Sequence, residues 1–116
     1  MADNNTLCLV LTTFAEESSA AKVVRQLVEE RLAACGTLLP QARSIYRWKD
    51  QIEDTRETVV LFKTTSHIFH EFQSRLLYLH PYETPEILAW EPSASQSSYA
   101  AWVMESVGQP IDRHDQ

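Results

Sequence analysis

An imidazole and two carboxylates lie within seven positions of the chain, at His80, Glu83 and Glu86. Imidazole nitrogen together with carboxylate oxygen suits Zn²⁺, Cu²⁺ or Ni²⁺. Three ligands from one short loop rarely complete a coordination sphere, so neighbouring side chains from a second copy of the chain would have to complete it. The structural alternative is that His80 bonds the last carbonyls of a preceding helix, while Glu86 pairs with an arginine at an interface. The residue types therefore predict a divalent-metal site centred on His80 and leave this structural alternative open.

The other groups that could bind a metal or act as nucleophiles are isolated from one another. His67 and His70 lie three positions apart on one predicted helix, and such a pair binds Zn²⁺ or Ni²⁺ weakly. Cys8 and Cys35 have no cysteine partner at the spacing of a metal site, and we interpret both as small apolar residues. His114 belongs to the C-terminal tail. These five groups are the weaker ligand candidates.

A cleft between copies of the chain is the second candidate site. Aromatic walls with a few polar groups are typical of ligand-binding clefts. The residues that we assign to this cleft or interface are Tyr46, Trp48, Tyr82 and Cys35. Packing in a core or at an interface is the alternative interpretation of each aromatic residue.

Composition excludes several classes of function. The chain has 116 residues and two glycines, Gly36 and Gly108, whereas dinucleotide fingerprints, P-loops and nucleophile elbows need clustered glycines. The net charge of −6 disfavours nucleic-acid binding, which requires a basic surface. The longest apolar run is five residues, far short of the about 20 that a membrane helix needs. We therefore expect a protein that is not an enzyme and has no nucleic-acid or membrane partner.

The first six residues, MADNNT, are polar and do not resemble a secretory signal. With only two cysteines in the chain, this predicts a reduced, cytoplasmic setting. The negative charge is concentrated in residues 81–116, where six acidic residues face one arginine. That segment would attract cations, although solubility is the simpler explanation.

Hydropathy patterns predict the elements that must position these residues. The predicted strands are 7–13, 37–48, 52–65 and 85–91, and the predicted helices are 17–34, 66–79 and 96–107. The order βαββαβ plus a terminal helix is typical of the α+β, ferredoxin-like split βαβ fold. Continuous apolar runs in the first and third strands predict central strands that are covered on both faces. Prolines in the second and fourth strands predict edges, with a bulge at Pro40 as the alternative, and this gives the order 4-1-3-2.

The predicted ends of these elements follow from capping residues. We expect Ser18 to cap the first helix, with a capping box of Thr13 and Glu16 as the alternative, and Ser66 to cap the second. Gly36 would end the first helix in a left-handed conformation. One domain would span residues 7–107, between flexible ends at 1–6 and 108–116.

The hairpin of residues 37–65 is too long for the predicted domain. Its first strand would measure about 40 Å at 3.3 Å per residue, whereas a compact domain of this size is about 35 Å across. The hairpin should therefore extend beyond its own core, unless it folds back at Pro40. An exposed hairpin with open edges predicts a homo-oligomer.

Four segments, LVEERLAAC (27–35), SIYRWK (44–49), FKTT (62–65) and HPYETPEI (80–87), resemble the CutA family of divalent-cation-tolerance proteins. The resemblance covers about residues 7–107. It implies a PII-like homotrimer in which the 37–65 hairpins wrap neighbouring subunits. It also implies a cytosolic role in metal (copper) tolerance, binding of Cu²⁺ or another divalent metal, and no established catalytic activity. The likeness to the signalling protein PII implies an alternative, a regulator that binds a small metabolite or partner protein at the subunit clefts.

The chain departs from the family pattern in two respects. Some bacterial members are described with a copper site formed by a cysteine at the end of strand 1 and two adjacent histidines. Here Thr12 replaces the cysteine and Leu79 replaces the first histidine, so only His80 matches. The hairpin turn usually contains glycine, and here Asp50 stands in its place, a residue that tolerates a left-handed conformation.

Overall fold

The structure, a computed structural model, describes residues 5–108. Most of the two predicted flexible ends, and His114, lie outside these residues. The strands are β1 (Leu7–Phe14), β2 (Cys35–Trp48), β3 (Gln51–Thr65) and β4 (Leu88–Trp90). The helices are α1 (Glu17–Glu29), α2 (Phe69–Leu79, after a 3₁₀ turn over Ser66–Ile68) and α3 (Ser97–Ser106). Among the described residues, none of the helices has the length and apolarity needed to cross a bilayer.

The four strands form one antiparallel sheet in the order β2-β3-β1-β4. This confirms the predicted α+β, ferredoxin-like arrangement. Pro40 lies in the edge strand β2, where the register shifts between Leu39 and Ala42 and Gln41 adopts a left-handed φ of 64°. Both expectations for that proline, an edge and a bulge, are met because proline lacks the N–H that a sheet ladder needs.

The core lies between one face of the sheet and helices α1 and α2. The fully buried side chains of this core include Val10, Phe14, Val60 and Phe62 from the strands and Leu27, Phe72 and Leu76 from the helices. On the opposite face the paired residues Leu11 and Leu61 are half-buried, and Leu39 and Leu88 are exposed. We predicted that β1 and β3 are covered on both faces, but within one chain α1 and α2 cover one face, and α3 covers only the end of the other, where Leu7 packs with Val103 and Val107. Among the described residues, the rest of this second, apolar face remains open.

Helix α1 ends five residues before the predicted position. The N–H of Leu32 donates to Leu27 O at 3.0 Å, and that of Arg31 donates to Val28 O at 3.0 Å. With Arg31 at a φ of 63°, these bonds form a Schellman motif in which arginine occupies the position usually taken by glycine. The prediction that Gly36 stops the helix is wrong.

Gly36 has a different role, in β2 beneath α1. A Cβ atom at this position would lie 2.8 Å from Val24 Cγ1 and 3.2 Å from a ring carbon of Phe62. Glycine is therefore needed here for space rather than for a turn, because the helix packs directly on the strand.

The predicted helix caps also differ from the structure. Glu16 is the N-cap of α1 and makes no side-chain capping bond, so Ser18 lies inside the first turn and no capping box forms. The 3₁₀ turn displaces the start of α2 to Phe69, so Ser66 does not cap it. Glycine and serine positions in the sequence did not identify these ends, because tertiary hydrogen bonds and packing determine them.

The hairpin extends beyond the core as predicted. Strand β1 ends at Phe14, which pairs with Thr58. Beyond that pair, residues 42–57 pair only with each other, and we call this segment the arm. Lys49 and Asp50 have φ values of 50° and 65°, the left-handed pair of a two-residue hairpin turn. The longest dimension of the molecule is 51 Å. Its radius of gyration is 15.5 Å, against about 13 Å for a compact chain of this length.

Candidate functional site

A cleft of about 460 Å³ lies where β1 ends and the arm begins. The loop between α2 and β4 forms its second wall. The lining residues are Thr13, Tyr46, Trp48, Glu53, Glu57, Tyr82, Glu83, Thr84 and Glu86. Five residues predicted from the sequence therefore meet in this cleft, namely both candidate glutamates and the three aromatic residues.

The arm supplies its residues to the cleft through strand alternation. Tyr46 pairs with Glu53, and the Ala42–Glu57 pair lies four pairs further along the ladder, on the same face. Because side chains alternate between faces every residue, Glu53 and Glu57 necessarily join Tyr46 on the cleft side. Sequence reasoning missed these two glutamates, although counting by two from the turn would have found them.

Tyr82 joins the loop to the arm. Its hydroxyl donates to Glu57 Oε2 at 3.0 Å. Burial, together with the hydrogen bond to Glu57 and the charge of that carboxylate, raises the pKa of Tyr82 far above its ordinary value. The phenol therefore stays protonated at physiological pH and remains a hydrogen-bond donor to the carboxylate.

His80 lies behind the cleft rather than in it. The residue is 6% exposed, and its ring stacks on Phe14 with centroids 4.2 Å apart. Nε2 lies 2.9 Å from Thr13 O, and Nδ1 accepts the backbone N–H of Tyr82 at 3.1 Å. Burial lowers the pKa of His80, and the nearby carbonyl of Thr13 only partly opposes this. Metal coordination by His80 would require one of these two hydrogen bonds to break.

The donor chemistry of the cleft suits a cation. It presents four carboxylates and four hydroxyl or phenol groups, and none of the nine described lining residues is lysine, arginine or histidine. Within residues 5–108, however, no three His, Cys, Asp or Glu side chains lie close enough together to hold a metal ion. The oxygen donors fit a divalent cation, but one protomer does not complete a coordination sphere.

The remaining sequence candidates lie elsewhere. Cys35 begins β2 away from the cleft, with Sγ 3.9 Å from the Tyr99 hydroxyl. Cys8 is buried, and burial raises the pKa of its thiol. His67 and His70 belong to no metal-capable group among the described residues.

The face of the arm that points away from the cleft is basic and aliphatic rather than acidic and aromatic. Its paired residues are Arg43 with Arg56, Ile45 with Asp54, and Arg47 with Ile52. Both isoleucines are 61% exposed, and Arg43 forms a two-point ion pair with Asp54 at 2.7 and 2.8 Å. The arm thus has an acidic, aromatic face that lines the cleft and a basic, aliphatic face that points away from it.

Comparison with known proteins identifies the family. Residues 8–106 match the family described as CutA1 divalent ion tolerance protein. The chain is 40% identical over 100 residues to the divalent-cation tolerance protein CutA of Thermus thermophilus, covering 86% of this chain and 97% of that protein. The CutA protein of Pyrococcus horikoshii is 35% identical over 99 residues, covering 85% of this chain and 96% of that protein.

Solved structures agree with the sequence relatives. The T. thermophilus protein superposes with a TM-score of 0.85 at 39% identity, covering 89% of this chain and all of that one. CutA from Synechococcus elongatus gives 0.85 at 35% identity, covering 93% and 95%. The strand order, the arm and the matched length agree with these findings, and the chain belongs to the CutA1 divalent-cation tolerance family.

Proposed function

We propose that this protein is a trimeric, cytoplasmic, divalent-metal-responsive binding protein without catalytic activity, and that the cation binds in the acidic cleft. The observation that supports this most is the convergence of Glu53, Glu57, Glu83 and Glu86 on one cavity whose described lining residues include no basic side chain. Carboxylates that share a cavity without a basic partner repel one another, and a bound cation would relieve that repulsion. A role in metal tolerance is consistent with the family to which the chain belongs.

The trimer would complete the site. The two faces of the arm carry opposite charge, and complementary but different surfaces form head-to-tail contacts that close into rings. The open apolar face of the sheet supports the same assembly, because Leu39 and Leu88 would be removed from water in it. Each cleft would then receive side chains from the next subunit, which would supply the ligands that one protomer lacks.

The identity of the metal depends on which donors reach it. The oxygen donors of the cleft suit hard and borderline divalent cations, whereas a preference for Cu²⁺ or Zn²⁺ is strengthened by imidazole. The metal set predicted from the sequence, His80 with Glu83 and Glu86, therefore remains a proposal in which the ring of His80 leaves its two hydrogen bonds. A cleft that uses glutamates alone would discriminate less between Mn²⁺, Zn²⁺ and Cu²⁺ than one that also uses imidazole.

Isothermal titration calorimetry of the full chain with Zn²⁺, Cu²⁺ and Mn²⁺ tests the proposal. Replacing both loop carboxylates, Glu83→Gln with Glu86→Gln, should weaken binding by at least about 10-fold, since a lost charged ligand is worth more than 1.4 kcal/mol. The matched control is Glu17→Gln with Glu29→Gln, which removes two exposed charges from α1. The proposal is rejected if the wild-type chain gives no binding heat, or if the control pair weakens binding as much as the loop pair.

A second function, a PII-like regulator that binds a small metabolite, is favoured by the aromatic side chains of the same cleft. Tyr46, Trp48 and Tyr82 line a volume of about 460 Å³, which is within the size range of small-ligand sites. Four glutamates would repel a nucleotide, so the metabolite would carry positive charge. A thermal-shift screen should show stabilisation by cationic metabolites and none by nucleoside phosphates, and a flat response to both sets would reject this function.

A further inference from the structure

The histidine behind the cleft connects three elements through hydrogen bonds. Thr13 O at the end of β1 lies 2.9 Å from Nε2 of His80, and Nδ1 accepts the N–H of Tyr82 at 3.1 Å. Tyr82 in turn donates its hydroxyl to Glu57 Oε2 at 3.0 Å. A continuous series of contacts therefore runs from β1, through the loop, to a carboxylate on the arm.

These partners determine the tautomer of the imidazole. A backbone N–H is only a donor, so Nδ1 must be unprotonated to accept from Tyr82. A carbonyl oxygen is only an acceptor, so the proton must reside on Nε2 to reach Thr13. Neutral histidine with its proton on Nε2 satisfies both, and the doubly protonated ring would place a proton against the N–H of Tyr82.

Packing fixes the orientation of the ring as well. The imidazole is nearly parallel to Phe14, with 13° between the planes, and Phe14 itself is fully buried. The ring therefore cannot swing toward the cleft without losing its stacking contact and both hydrogen bonds. A group held this way is suited to orienting its neighbours rather than to exchanging ligands.

We propose that His80 is a positioning residue of the cleft, which acts through Tyr82 to hold the Glu57 carboxylate in the orientation that the cation meets. The nature of the ligand rests on the proposed function, whereas the positioning of Tyr82 does not. Residues that orient a ligating carboxylate from behind typically change metal affinity by about 10- to 100-fold when removed.

The proposal is tested first by nuclear magnetic resonance of the ¹⁵N,¹³C-labelled full chain, titrated with Zn²⁺ alone. The ring nitrogens of His80 should show an unprotonated Nδ1 and a protonated Nε2, and both signals should stay in place as Zn²⁺ is added. The carboxyl carbon of Glu57 should shift. A large shift or loss of either His80 nitrogen signal on adding Zn²⁺ would mean that His80 is a ligand, and a proton on Nδ1 would contradict the hydrogen-bond series.

Two substitutions separate positioning from ligation. Phe in place of His80 keeps a ring to stack on Phe14 but removes both nitrogens. Asn in place of His80 offers an oxygen near the Nδ1 position, which can accept from the N–H two residues ahead as in an Asx turn. We expect His80→Phe to weaken Zn²⁺ binding by about 10-fold, and His80→Asn to retain most of the affinity. Equal loss in both variants, with folding intact by circular dichroism, would overturn the proposal.

The state of Tyr82 distinguishes failure of this inference from failure of the proposed function. The ring signals of Tyr82, identified by comparison with Tyr82→Phe, should move in the metal-free His80→Phe variant and stay close to wild type in His80→Asn. If the wild-type chain binds no Zn²⁺ but the Tyr82 signals move in His80→Phe and not in His80→Asn, the proposed function fails and the positioning role stands. If the Tyr82 signals are unchanged in His80→Phe, the positioning role fails whatever the chain binds.

Discussion

At the scale of residues, Thr12 has a buried hydroxyl group without a hydrogen-bond partner among the described residues. Its side chain is fully buried, and Oγ1 has no hydrogen-bond partner among the described residues. Thr64 is also fully buried, but its Oγ1 donates to Leu32 O at 2.7 Å. The two threonines therefore offer a matched comparison of a buried hydroxyl without and with a partner.

Replacing Thr12 with valine should raise the free energy of unfolding by about 1 kcal/mol, because an unbonded hydroxyl loses hydration on burial while a methyl group of similar size does not. The control Thr64→Val should lower it by about 1 kcal/mol, since Leu32 O then loses its partner. Urea denaturation measures both. A destabilised Thr12→Val variant would mean that the hydroxyl has a partner after all.

His80 should make the stability depend on pH. Burial depresses its pKa in the folded chain below the ordinary value of about 6.5, so between the two pKa values the unfolded chain binds more protons. The contribution of His80 to the free energy of unfolding is therefore fully present above about pH 6.5 and is lost as the pH falls through the pKa of the folded state. The groups that face the ring are Thr13 O, Phe14 and Tyr82, and the charge of Glu57 only partly opposes the shift.

Unfolding free energies of wild type and His80→Asn between pH 7.5 and 5.0 test this dependence. The wild type should lose more stability on acidification than the variant, which has no imidazole to protonate. If the unfolding free energies of the two proteins fell equally with pH, His80 would not be the source of the pH dependence.

At the scale of elements, Arg31 links the end of α1 to α3. Its backbone stops α1 in a left-handed conformation, its carbonyl accepts from the N–H of Gly108 at 2.9 Å, and its Nη2 donates to Glu105 O at 2.9 Å. One residue thus ends one helix and satisfies carbonyl groups at the end of another. Position 31 combines a backbone that glycine would suit better with a side chain that glycine lacks.

Substitution can separate these two contributions. Arg31→Ala and Arg31→Gly both lose the side-chain bonds to α3, but only alanine keeps the left-handed strain. Arg31→Gly should therefore be more stable than Arg31→Ala by about 1 kcal/mol, with both less stable than wild type. Thermal or urea unfolding gives the order, and equal stability of the two variants would show that the left-handed backbone costs nothing here.

At the scale of the whole molecule, the arm leaves large apolar side chains in water. Ile45 and Ile52 are each 61% exposed, and Trp48 is 53% exposed. Apolar residues on an open hairpin promote association unless a partner covers them. Among the described residues, none covers the arm, and α3 covers only the Leu7 end of the second sheet face, so we expect copies of the chain to associate.

Light scattering should give a mass of about 40 kDa, which corresponds to three copies of the 13.3 kDa chain. The pair Ile45→Ser with Ile52→Ser should shift the mass toward that of one chain. The control pair Leu77→Ser with Tyr78→Ser removes comparably exposed apolar residues from α2 and should leave the mass unchanged. A wild-type mass of 13.3 kDa at micromolar concentration would rule out the trimer.

Local signals in the sequence predicted much of the fold. Apolar runs predicted that β1 and β3 are central, and Pro40 predicted that β2 is an edge, because hydropathy and proline chemistry act over a few residues. The end of α1 was wrong, since Arg31 is not a residue type that signals a helix stop. The helix ends there because the backbone N–H groups of Arg31 and Leu32 form hydrogen bonds that the local sequence does not predict.

The sequence by itself determined the family, the order of the elements, and the presence of carboxylates and aromatic side chains with affinity for cations. Only the tertiary structure decided which of them meet. Strand pairing brought Glu53 and Glu57 to Tyr82 and Glu83, and packing against Phe14 placed His80 behind the cleft. The physical reason is that residue types reveal what a side chain can bind, whereas burial and register determine which partners it reaches.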